Sequence, residues 1–155
     1  MQNGMPQTTL NTQKNLSLQA IICFIWLGMV LGISFLEAPV KFTTPSLSYT
    51  TAIDVGMHVF HALNKVEIAW ALLLLVMGLF STLGRSQWLI RCAILLILLL
   101  QSVWLFPVMD ARALQIIAGK QVADSYHHWV YIILEIDKLL LLAVHGWAIF
   151  KKSKS

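Results

Sequence analysis

The stretch LSLQAIICFIWLGMVLGISFLE, residues 16–37, decides the fold class. It carries no charged residue until Glu37 at its end. At ~1.5 Å of rise per residue it matches the ~20 residues that cross ~30 Å of hydrocarbon as a helix. In such a medium every backbone N–H and C=O must be satisfied within the segment, which a helix does and an isolated strand does not. Further apolar runs follow. Working outward, the spans are expected at about 16–37, 53–83, 87–106 and 123–150, with a polar N-terminal tail over 1–15 and a basic C-terminal tail over 151–155. The expected fold is therefore all-α, a four-helix transmembrane bundle in a single domain.

Composition agrees with that reading. The chain has 155 residues, 58% of them hydrophobic and only 12% charged, against about 25% charged in a soluble domain. One core in a protein this small cannot hide so much apolar surface, so the lipid bilayer is the first partner. The net charge of +4 fits cytoplasmic flanks better than nucleic acid, which is not expected as a partner. The polar N-terminus and the length of the first apolar run argue against a cleavable signal and for an uncleaved anchor. Cys23 and Cys92 both sit in apolar runs without a CxxC and read as small buried hydrophobes.

Punctuation sets the boundaries. Gly28 and Gly32 form a GxxxG pair that would let a neighbouring helix approach. Ala38 to Thr51, with Pro39 and Pro45, reads as a loop. Helix two is expected to start near Thr51–Asp54 and run to about Leu83, and Pro107 should kink or break helix three before a short piece ending at Gly119. Helix four is expected over about Val122 to Phe150. Lys14, Arg85, Arg91, Lys151, Lys152 and Lys154 gather at the end that holds both termini, which the positive-inside rule places in the cytoplasm. Glu37, Asp54, Glu67, Asp110, Asp124, Glu135 and Asp137 all belong to the opposite half. The expected location is the cytoplasmic (inner) membrane, with a polar site on the extracytoplasmic side.

At ~100° per residue, Asp54, His58, His61 and Lys65 share an arc of about 60°, with Asn64 and Glu67 on its flank. On helix four, Asp124, His127, His128, Tyr131, Glu135 and Lys138 fall within about 100°, and His145 continues that stripe. Ionisable groups at such depth cost at least ~2.5 kcal/mol when isolated and should face inward in pairs. Glu135 and Lys138, three apart, suit a helical ion pair. Asp137 points off the stripe and needs a partner from helix three or another protomer. Gln101 reads as an interhelical hydrogen bond, and Trp26, Trp70, Trp88, Trp104, Trp129 and Trp147 as interfacial anchors.

Three functions compete. Imidazole and carboxylate together suit Zn, Fe or Cu, so Glu37, His58, His61, Glu67, His128 and Glu135 are candidate ligands for a divalent metal or a polar ligand, a set that would also suit a metal-dependent membrane enzyme. Asn64, Tyr131 and Lys138 would support them. Haem is disfavoured, because only His145 lies deep in a span on the cytoplasmic half. The alternatives are a proton- or ion-linked small transporter acting as a homo-oligomer, with Glu67, Glu135, Asp137, Lys138 and His145 as its titratable path, and an accessory subunit docked on a larger membrane partner.

The segments WLGMVLGISFLEAPVKF (26–42) and DVGMHVFHALNKVE (54–67) carry a family resemblance. Through Gly28, Gly32, Pro39, Phe42, Gly56 and Phe60 the chain resembles the transmembrane-protein-205-like family of small four-span proteins, over about half its length. Tyr126-His127-His128 is a weaker echo. The resemblance implies four spans with a polar end, and no particular activity.

Overall fold

The computed structural model describes residues 7–123 and 125–154. Asp124, expected at the start of the helix-four stripe, lies outside the described residues, as do residues 1–6 of the N-terminal tail and Ser155 of the C-terminal one. The described chain is all-α and folds as four helical rods. The first joins α1 (Gln7–Val30) to α2 (Ala38–Phe42) through a π-helical segment, Leu31–Glu37. The second is α3 (Tyr49–Leu79). The third joins α4 (Arg85–Leu100) to α5 (Phe106–Ile117) through a second π-helical segment, Gln101–Leu105, and the fourth is α6 (His127–Ser153).

Pro39 and Pro107 are absorbed rather than obeyed as breaks. A proline lacks the N–H that would bond the carbonyl four residues back, and its ring crowds that carbonyl. Here each proline is preceded by a widened turn: Ala38 N–H donates to Ile33 O and Phe106 N–H to Gln101 O, both five residues back. The wider spacing makes room for Pro39 and Pro107. The first rod thus continues through the segment expected to be a loop, and the connection shrinks to the residues before Tyr49. Ser48 caps α3 by accepting the Thr51 N–H on its hydroxyl, so the helix begins at Tyr49, two to five residues before the expected start. That rod ends at Leu79, short of Leu83, while α6 begins at His127 and runs on to Ser153.

The rods Leu10–Phe42, Tyr49–Leu79 and Arg85–Ile117 are long and apolar enough to cross a membrane. The fourth, α6, has comparable length but carries Glu135, Asp137 and Lys138 along it. Outward faces are largely apolar, with Leu72, Leu79, Leu89, Val103, Leu140 and Val144 exposed. Around the bundle α1 packs between α3 and α6, and α4 closes the square between them, so α3 and α6 stand at opposite corners.

Small residues mark the close approaches, but not the expected pair. A Cβ at Gly28 or Gly32 would meet nothing within 4 Å. Gly146 instead faces Cys23 and Phe24, where α1 and α6 touch, and Gly78 faces the Arg91 guanidinium. Cys23 is buried as expected, whereas Cys92 lies on the outer face of α4 and is exposed. A central apolar layer of Ile22, Cys23, Trp26, Val30, Ala71, Leu74, Ile94, Leu98 and Leu142 divides the interior in two.

Candidate functional site

Each half of that interior holds a cluster of polar side chains. In the half farther from the termini, Lys138 reaches from α6 across the bundle, and its Nζ lies 2.6 Å from Glu67 Oε1 on α3 and 3.0 Å from Glu135 Oε1 one turn away. It also donates to Gln101 Oε1 at 3.0 Å, so the three protons of the ammonium meet three acceptors. Gln101, from the π-helical turn of the third rod, donates to Glu135 Oε1 at 3.0 Å, and Trp26 Nε1 donates to Glu67 Oε1 at 2.9 Å. All four rods therefore contribute. Lys138 is 0% exposed, Glu135 1% and Glu67 2%.

The charges at this centre do not balance. Two carboxylates surround one ammonium, giving a net charge of −1 when both acids are ionised. Glu135 Oε2, also buried, and the nearby Ser34 hydroxyl have no partner in good hydrogen-bond geometry among the described residues, and the Tyr131 hydroxyl is the polar group set against both. The buried Tyr131 ring faces both of them. Asn64 stands one turn away, donating to Ser102 Oγ at 3.0 Å.

In the half nearer the termini, Arg91 is 3% exposed and faces no carboxylate. Its guanidinium donates to Leu74 O, to Gln19 Oε1 and, at 3.0 Å, to His145 Nε2. An arginine can only donate, so His145 Nε2 is bare and the ring proton sits on Nδ1, 2.7 Å from Gln87 Oε1. Arg91 was expected at the cytoplasmic flank and is instead folded into the bundle interior. Trp26, expected as an interfacial anchor, is buried as a hydrogen-bond donor to Glu67. Gln19 and Gln87 carried no signal that sequence reasoning used; a lone amide in an apolar run, like Gln101, is the feature that could have flagged Gln19.

The candidate ligands from sequence scatter over several places. Glu37 pairs with Lys41 at 3.2 Å. His58 is exposed and bonds Asp54 O on its own helix at 2.9 Å. His61 donates from Nε2 to Asp110 Oδ2 at 2.7 Å, beside the Phe106 ring. His128 is exposed on the first turn of α6. Only Glu67 and Glu135 come together, joined by the Lys138 and Tyr131 expected to support them. Among the described residues no three His, Cys, Asp or Glu side chains gather closely enough to hold a metal ion. The reason is rotational: α3 turns its Asn64–Glu67 flank inward and leaves His58 and Lys65 outside.

A recess of about 10 Å³ lined by Trp26, Leu74, Arg91 and Ile94 lies between the two polar clusters, close to the least space one water needs. No protein-family model, curated protein or solved structure matches the chain.

Proposed function

We propose that the chain is a four-span integral membrane protein, both termini cytoplasmic, that binds and exchanges a proton at the Glu67–Lys138–Glu135 centre as a small proton-linked transporter. The observation that carries this reading is the pair of buried carboxylates sharing one ammonium. An unbalanced charge in hydrocarbon is costly, and groups of this kind in spans mark proton relays. One proton neutralises the centre, and Glu135 Oε2, set against the Tyr131 hydroxyl and outside the ion pair, is the atom open to take it.

The fourth span enters this proposal because Glu135 and Lys138 offset each other inside the bundle, leaving Asp137 as the one charge α6 turns outward in its middle. Orientation rests on Lys14, Arg85, Lys151, Lys152 and Lys154 at the end with the termini. Toward the other end, Tyr131, Phe106 and the half-exposed His61–Asp110 pair lead from the centre to the surface. Toward the cytoplasm, the small recess lies in the apolar layer and the Arg91–His145–Gln87 chain continues beyond it toward the end with the termini. That second cluster supports a path through a single copy.

The test is proton flux in proteoliposomes carrying an internal pH dye, together with the infrared carboxyl band of the purified protein. The expected result is a pH-driven flux and a protonated-carboxyl band, both lost in Glu135→Gln. Absence of flux and of any such band would overturn the proposal.

A further inference from the structure

Of the charged side chains along the spans, Glu37 pairs with Lys41, Glu67 and Glu135 with Lys138, and Arg91 is held by neutral acceptors. Two remain. Lys65 on α3 and Asp137 on α6 are exposed, and among the described residues neither has a hydrogen-bond or ion-pair partner. Lys65 sits about 150° from the middle of the buried face of α3, and Asp137 about 120° from that of α6. Both point away from the bundle.

These two charges share a depth. Glu67 and Lys138 touch; Lys65 is two residues from the first and Asp137 one from the second, on helices running the same way, so their levels differ by about 1.5 Å. Counted along the helices, Lys65 is about 21 Å from Leu79 and Asp137 about 21 Å from Lys151. With α6 in the membrane, as proposed above, both fall inside ~30 Å of hydrocarbon. A long lysine reaches toward the headgroups from there, but an aspartate does not.

We infer that Lys65 of one copy pairs with Asp137 of the next, making the chain a head-to-tail oligomer in the membrane. The occupant is a second copy because the complementary charge is present on the same chain, at the same depth, on the opposite corner of the bundle. A groove of about 340 Å³, lined by Lys65, Val66, Ala69, Trp70 and Leu73, runs along α3 beside the lysine. The exposed stripe of α6 that would enter it holds Ile133, Asp137, Leu140 and Val144. Placement on opposite corners makes the contact heterologous: a two-fold dimer cannot satisfy both charges, and a closed ring can.

The experiment uses two tagged full-length versions co-expressed in native membranes, both with Cys92→Ser. One carries Ala69→Cys and the other Leu140→Cys, which flank the ion pair and leave it intact. Oxidation is expected to join 69 to 140, without 69–69 or 140–140 products, and photobleaching of labelled protein in bilayers should count three or more copies. Adding Asp137→Lys should cut the cross-link about tenfold, and the swap Lys65→Asp with Asp137→Lys should restore it, with helical content unchanged in each. A monomer in the bilayer, an oligomer untouched by Asp137→Lys, or a different protein found at Asp137 would overturn the inference.

Discussion

Lys138 Nζ stands 2.6 Å from Glu67 Oε1 although the two residues belong to helices at opposite corners of the bundle. This ion pair ties those corners directly through the interior, beside the edge-to-face contact of Phe60 with Tyr131. Its strength and its unbalanced charge make it the place where substitutions should have the largest effects.

Removing the lysine alone strands two buried carboxylates. Lys138→Met is expected to destabilise the protein by about 3–5 kcal/mol. Glu67→Gln and Glu135→Gln added to Lys138→Met should recover most of that loss, since a neutral interior needs no counter-charge. Thermal unfolding in detergent reads both. Equal stability of the single and triple variants would mean that the centre does not carry the charge described.

Trp26 has a role that an interfacial anchor would not. Trp26→Phe keeps most of the ring's packing but leaves Glu67 Oε1 without its indole donor. The expected cost is about 1–3 kcal/mol, as for a hydrogen bond to a charged group. The same substitution in a Glu67→Gln background should cost less. If the two losses simply add, the indole is not serving the carboxylate.

Glycines separate the observed close approaches from the expected one. A methyl at Gly78 would collide with the Arg91 guanidinium, so Gly78→Ala should lower the melting temperature clearly. Gly28→Ala and Gly32→Ala, with open space around both positions, should be neutral or raise it, because alanine favours the helix by up to ~1 kcal/mol. The three variants belong in one melting series; destabilisation by the Gly28 change would contradict the packing described.

His145 is locked as the Nδ1–H tautomer between Gln87 and Arg91. Nitrogen-15 spectra of histidine-labelled protein should contain an imidazole protonated on Nδ1 that Gln87→Leu shifts while the signals of the other four histidines stay in place. If the signal that Gln87→Leu shifts is protonated on Nε2 instead, Arg91 does not donate to His145.

The amino-acid sequence alone determined the helical class, the number of rods and the segregation of the acids. Apolar runs of span length leave a helix as the way to satisfy the backbone, and that constraint is local. It also marked Glu135 and Lys138 as partners, since residues three apart on a helix must meet. Which sides faced inward was a different matter. In a lipid-facing helix the outer surface is as apolar as the packed one, so hydrophobic periodicity carries little information about rotation. The polar stripe of α3 therefore suggested a site at His58 and His61, while packing turned the Asn64–Glu67 flank inward. The same lack of contrast concealed Arg91 and Trp26, which read as flank and anchor until the four rods were assembled around them. Only the tertiary structure could decide that Glu67 and Lys138, 71 positions apart in the chain, share one buried centre, because nothing local ties the rotation of α3 to that of α6.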